Sequence, residues 1–115
     1  MPTPLGDVPY LVLAALSGGR RHGYDVVRVV GALTDGAVTL GAGTLYGALD
    51  RLGQAGLVAP DGEERVAGRL RRYYRLTDAG TTVLDEETAR REQVVLAVRG
   101  RLRATGQQEE AWGSA

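Results

Sequence analysis

Gly43-Thr44-Leu45-Tyr46-Gly47-Ala48-Leu49-Asp50-Arg51-Leu52, followed by Gly56-Leu57-Val58 and then by Arg71-Arg72-Tyr73-Tyr74-Arg75-Leu76-Thr77, decides the fold. Leu45, Ala48, Leu49 and Leu52 stand at i, i+3, i+4 and i+7 and form the inward stripe of a helix from Gly43 or Thr44 to Ala55. Its other face carries Thr44, Tyr46, Gly47, Asp50, Arg51 and Gln54. Small Gly47 lets that face approach another surface closely, at about 0.8–1 kcal/mol of helix stability against alanine. Gly56 stops the helix, Leu57-Val58-Ala59 reads as a short strand, and Pro60-Asp61-Gly62-Glu63 begins an irregular excursion. Leu70–Leu76 reads as the returning strand after a turn near Gly68, with Tyr74 and Leu76 toward the core and Arg71, Tyr73 and Arg75 on the other side. A helix with a polar outer face followed by a basic two-stranded hairpin suits duplex DNA, so the function expected is binding.

Upstream, Tyr10, Leu11, Leu13, Ala14 and Leu16 recur with helical spacing from Asp7, a candidate cap, and Ser17-Gly18-Gly19 closes that helix. A second helix reads from about His22 to Leu33, with Tyr24, Val27 and Val30 on one stripe and Val26, Val29 and Leu33 beside it. Its β-branched content also suits a strand, so spacing and length carry the assignment. Downstream, Thr77 is a cap with Asp78 at the positive end of a last helix that reaches about Ala104. Leu84, Thr88, Arg91, Val95, Val98 and Leu102 follow heptad-like spacing on it. Such a stripe either packs back on the first helix or pairs with a second subunit, and pairing is the preferred reading.

The expected fold is therefore mainly α with a small β-hairpin wing: a winged helix-turn-helix over residues 1–76, a long C-terminal dimerisation helix over 77–106, and a flexible tail over 107–115. Trp112 in that tail is either a loose surface residue or a late interface anchor.

Composition sets the limits. A chain of 115 residues with 43% hydrophobic content suits one domain with a modest core plus one extended element and leaves no room for a second, catalytic domain. Cysteine is absent, which rules out disulfides and thiolate metal sites. The opening Met1-Pro2-Thr3-Pro4 does not read as a targeting segment, and no apolar run reaches the roughly 18 residues of a membrane span, so the expectation is cytoplasmic with no membrane partner. Net charge is zero, but Arg65, Arg69, Arg71, Arg72 and Arg75 fall between Arg65 and Leu76 with no acid among them. Local basic charge is what phosphate binding requires. All fourteen basic residues are arginine, a bias attributed to genomic composition and given no functional weight.

Catalysis finds no support. His22 is the sole histidine and sits near no carboxylate pair, so neither a metal nor a cofactor is expected. Ser17, His22 and Asp25 are triad residue types clustered only in sequence, and nothing supplies an oxyanion pocket. Gly18-Gly19 and Gly41-Ala42-Gly43 lack the lysine of a phosphate-binding loop.

From Tyr10 through about Arg91 the chain resembles the PadR-like transcriptional regulators, especially short forms with one long C-terminal helix. The resemblance rests on His22-Gly23-Tyr24, Gly43-Thr44-Leu45-Tyr46 with Ala48-Leu49 and Leu52, Gly56-Leu57-Val58, and Arg72-Tyr73-Tyr74-Arg75-Leu76-Thr77 with Gly80. Gly47 departs from the proline common there, and Leu40-Gly41-Ala42 from the usual leucine-serine-proline. The resemblance implies a homodimeric repressor on a partly palindromic operator, with each wing at the flanking backbone or minor groove. Some relatives release DNA when phenolic compounds or hydrophobic drugs bind around the dimer helices, although a chain without Phe offers few rings for a large aromatic effector.

For each site residue a plainer role stands beside the DNA role. Tyr46 contacts phosphate or sugar, or packs as a core tyrosine against the wing. Thr44 caps the helix or bonds phosphate; Arg51 contacts a base or phosphate or pairs with Asp50 or another nearby acid, and Asp50 itself would orient a base-reading arginine. Arg69, Arg71 and Arg72 are wing contacts or a solvated positive hairpin, and Arg75 pairs with the terminal helix. The competing function is a winged helix used for protein–protein interaction without direct DNA binding.

Overall fold

Apolar periodicity on three short helices and one turn-closed hairpin builds the first part of the molecule, seen in a computed structural model that describes residues 4–113, with side chains through 106. Helix α1 is Asp7–Leu16, strand β1 Arg21–His22, helix α2 Gly23–Leu33, helix α3 Ala42–Gln54, strand β2 Val58–Val66, strand β3 Arg69–Leu76 and helix α4 Asp78–Gly113. Two units divide the chain, the first ending at Asp85 and the second starting at Glu86.

The core of the first unit is drawn from the stripes read in the sequence. Leu13, Leu16, Val26, Val30, Leu45, Ala48, Leu49 and Leu52 are all buried, and Tyr74, Leu76, Val83 and Leu84 pack against them. Val27 and Val29 join at the core's edge, whereas Tyr24 is 77% exposed and Leu33 55% exposed, against the stripe assigned to them. Tyr24 shares the first turn of α2 with buried Gly23 but stands round the helix from Gly23, Val26 and Val30, on the side away from the core.

Local signals set most boundaries. Gly56, at φ +77°, ends α3 with paired closing bonds, Leu57 N–H to Leu52 O at 2.9 Å and Gly56 N–H to Gly53 O at 3.0 Å. Thr77 Oγ1 accepts from Gly80 N–H at 3.0 Å and donates to Gly56 O at 2.6 Å, so the cap of α4 is also tied to the end of α3. A Cβ at Gly80 would overlap the Leu57 carbonyl, which makes glycine obligatory where α4 crosses that backbone. Asp7 is not a cap: Gly6 occupies that position with no side-chain bond, and Asp7 falls in the first turn.

The sheet differs most from expectation. It has three antiparallel strands in the order β1-β3-β2, because Arg21 and His22 pair with Tyr74 and Tyr73. Residues 60–63 are not an excursion outside the sheet but an irregularity inside β2, where the register shifts between Pro60 and Glu63. A proline has no N–H for the ladder and Gly62 adopts φ +94°, so the strand bulges there and pairing resumes. Val66 pairs with Arg69 around Ala67 and Gly68, both at positive φ, which is the two-residue turn whose twist matches a hairpin.

In the second unit α4 continues past residue 106, where a tail had been expected, to Gly113. Its side chains from 107 on, Trp112 included, lie outside the described residues. Val94, Val95, Leu96, Val98 and Leu102 are exposed along it, and Glu87 takes a bond from Arg90 Nη2 at 3.0 Å.

Candidate nucleic-acid interface

Three elements of the first unit meet around one groove of about 390 Å³: the start of α2 (His22, Gly23, Tyr24), Tyr46 of α3, and Arg69, Leu70, Arg71 and Arg72 of β3. Gly23 explains why these elements sit so close. A Cβ there would stand 2.6 Å from Tyr46 Oη and 3.0 Å from Cζ, so the tyrosine tip seats on the bare backbone at the N-terminus of α2. Tyr46 nevertheless remains 47% exposed, packing with part of its ring and presenting the rest to solvent. Its hydroxyl lies beside the Gly23 backbone at the start of α2.

His22 holds that helix end in place. Its Nδ1 accepts from Asp25 N–H at 3.2 Å, an N-cap made by imidazole. Asp25 takes Arg21 Nη1 at 2.9 Å and both Nε and Nη2 of Arg28, at 2.9 and 2.7 Å, while Arg21 Nε bonds Ala15 O at 2.7 Å and so ties α1 to α2. Burial raises the Asp25 carboxyl's affinity for a proton, but the bonds and charges of Arg21 and Arg28 outweigh it and leave the group below its ordinary value.

On α3, Thr44, Tyr46, Asp50, Arg51 and Gln54 are exposed and Gly47 is half-buried, as the outward face requires. The N-cap of α3 is Gly41, so Thr44 does not cap it and its hydroxyl is left to the outer face. Arg51 does not pair with Asp50: its Nη1 lies 3.8 Å from where a Gly47 Cβ would stand, and Asp50 forms no hydrogen bond or ion pair among the described residues. An arginine oriented by Asp50 is therefore absent from this arrangement.

The wing arginines divide. Arg72 pairs with Glu63 at 3.5 Å, an exposed contact of low strength, whereas Arg69 and Arg71 are exposed and make no ion pair among the described residues. Arg75 bonds the Leu76 carbonyl at 3.4 Å and makes no ion pair with the terminal helix among the described residues.

A brace missing from the sequence reading joins the wing to the α1–α2 connection. Arg20 lies over the Tyr73 ring at 4.2 Å and donates to Asp61 O at 3.0 Å; the His22 ring meets Tyr73 edge-on at 5.5 Å; Tyr73 donates to Glu64 at 2.6 Å. The Glu64 bond, then burial, push the Tyr73 hydroxyl above its ordinary value. Tyr74, on the core side, is also raised, by burial first and then by the neighbouring Tyr46. Nothing local in the sequence signals the brace, since Arg20 and Asp61 meet only after folding.

Helix pair, exposed helix face and arginine hairpin together form a winged helix-turn-helix. The profile of the Transcriptional regulator PadR-like family matches residues 12–86. The chain belongs to that family. Its members are regulators of transcription, not enzymes. Among solved structures the chain is similar to a PadR family transcriptional regulator from Eggerthella lenta, at 33% identity with 80% of each chain covered and a TM-score of 0.63. It is similar too to a transcriptional regulator from Clostridium thermocellum, at 25% identity over 81% of this chain and 87% of that one, with a TM-score of 0.69. Bacillus subtilis PadR, solved in complex with operator DNA, shares the fold at 22% identity over 72% of this chain and 47% of that one, with a TM-score of 0.63. An uncharacterized 37.1 kDa transposon protein of Streptomyces fradiae is 41% identical over 81 residues, 70% of this chain, which spans 22% of that protein's length. No described helix is long and apolar enough to cross a membrane.

Proposed function

We propose that this chain is a sequence-specific duplex-DNA-binding repressor that acts as a homodimer, with α3 in the major groove and the β2–β3 wing against the flanking backbone or minor groove. The observation that carries the proposal is the shared groove where Tyr46, the start of α2 and Arg69 and Arg71, which make no ion pair among the described residues, converge. The tyrosine hydroxyl and the two guanidinium groups can bind phosphate, and they flank an exposed polar helix face. Operator DNA bound to the Bacillus subtilis relative supports the same assignment. Thr44, Tyr46, Arg69, Arg71 and Arg72 supply backbone contacts, Gly47 allows close approach, and Asp50 and Arg51 face the bases.

The proposed dimer seam runs through Leu84, Thr88, Arg91, Val95, Val98 and Leu102. Exposure of Val95, Val98 and Leu102 supports it, since an apolar helix edge left in water favours a second subunit, while Leu84 anchors the stripe on its own core. Two recognition helices related by a two-fold axis would address half-sites about 34 Å apart. Release by a small hydrophobic or phenolic ligand seated among the dimer helices completes the proposal.

Recovery of genomic fragments on the purified protein, with sedimentation of the free protein, tests these assignments. The expected result is enrichment of a partly palindromic site, binding that weakens steeply with salt, and a dimer that Val98→Glu dissociates. No enrichment over bare matrix would favour the protein–protein module instead.

A further inference from the structure

One acidic side chain stands on the outer face of the recognition helix, near enough to Tyr74 for its charge to act on that hydroxyl. Asp50 is exposed and has no hydrogen bond or ion pair among the described residues. Arg51, its neighbour, turns toward Gly47. Arg72, which lines a second groove together with Asp50 and Tyr74, is engaged by Glu63. An uncompensated carboxylate on a phosphate-facing surface opposes binding to every duplex alike. Its favourable contact in a duplex is with a hydrogen-bond donor, because a carboxylate only accepts.

Donors in the major groove are the amino groups of cytosine and adenine; guanine and thymine present carbonyl oxygens there, which repel a carboxylate. Adenine sets its N7 acceptor beside the amino group, against the second carboxylate oxygen, whereas cytosine has no such acceptor. Chemistry therefore singles out cytosine.

Reach is the remaining requirement, since aspartate has a single methylene. Gly43 and Gly47 stand seven and three residues before Asp50 on its side of α3. A Cβ at Gly43 would meet nothing within 4 Å, and one at Gly47 only the flexible end of Arg51. Folding does not require glycine at either position, and each weakens the helix relative to alanine. Their effect is to strip side-chain bulk from the face that carries Asp50, so the helix backbone can lie deep enough for a short acid to meet a base edge.

We propose that Asp50 is the specificity-determining residue of α3, accepting a hydrogen bond from the N4 amino group of a cytosine in the major groove. This rests on the DNA-binding function proposed above. The test is selection from a randomised duplex pool with the full chain and with Asp50→Ala and Asp50→Asn, followed by affinity measurements on the selected site and on an unrelated duplex.

The unaltered protein is expected to require cytosine at one position of the site. Asp50→Ala should lose that preference by about 5- to 100-fold, the span of one good base contact, and should bind the unrelated duplex more tightly. Asp50→Asn should move the preference to adenine, whose N6 and N7 match an amide. Both variants should melt with the parent, because Asp50 has no hydrogen bond or ion pair among the described residues. A base profile unchanged in Asp50→Ala, from protein that does select duplex, overturns the role of Asp50 alone. Failure of the unaltered protein to retain any duplex overturns the DNA-binding proposal, and this one with it.

Discussion

Replacing Gly23 by alanine should damage DNA binding far more than folding. The new Cβ would lie 2.6 Å from Tyr46 Oη, 3.0 Å from its Cζ and 3.3 Å from Leu45 Cδ2, against an ordinary contact of about 3.5–4 Å. Leu45 is buried and yields only a few tenths of an ångström, but Tyr46 is half exposed and free to swing outward. The strain is therefore relieved mainly by moving the tyrosine. Stability should fall by about 1 kcal/mol, the low end of overpacking costs, or about 4–8 °C in melting temperature for a domain of this size.

Duplex affinity should drop about tenfold, near the worth of one hydrogen bond to a charged phosphate. Tyr46→Phe removes the same bond without the clash and should give a similar loss at parental stability. Because both substitutions delete one contact, the double variant should bind no worse than about twofold below either single one. Fluorescence anisotropy on the selected site, beside thermal melts of all four proteins, decides it. Losses that multiply to about a hundredfold in the double variant, or Gly23→Ala binding like the parent, would refute the coupling of Gly23 to Tyr46.

Arg69→Ala and Arg71→Ala should each weaken all duplexes alike and reduce the slope of log affinity against log salt by about one unit, whereas Arg72→Ala, already paired to Glu63, should change it less; titrations at several salt concentrations measure this. Gly80→Ala should destabilise the first unit by about 3 kcal/mol or more in urea melts, since the overlap is with Leu57 backbone that no rotamer change relieves. Asp25→Asn should cost about 1 kcal/mol near neutral pH through the loss of two short-range ion pairs and a favourable charge in the first turn of α2. Because that carboxyl is held below its ordinary 3.8, the stability it adds is full above that value and is lost as pH falls through the lowered one, so the gap between parent and variant melts should close in acid.

Most of α1, α2 and α3 was legible residue by residue, because a helix buries one face and the burial recurs with the helical period. Leu45, Ala48, Leu49 and Leu52 went inside for that reason, and Gly56 and Thr77 ended and began helices through bonds to near neighbours. The same locality explains why Thr44, Asp50 and Arg51 could be put on the outer face but not given partners. Tyr24 misled because it was grouped with Val30, whereas the side of α2 that goes inside carries Gly23, Val26 and Val30 and leaves Tyr24 facing out.

The sequence by itself determined three helical stripes, a hairpin rich in arginine and a capped last helix, all products of period, turn chemistry and charge within a few residues. Only the tertiary structure decided that Arg21 and His22 add a third strand, that Arg20 braces the wing through Tyr73, that Tyr46 rests on Gly23, and that Asp50 has no hydrogen bond or ion pair among the described residues. Those outcomes belong to pairs remote along the chain, and their energies exist only once packing has brought both members into reach.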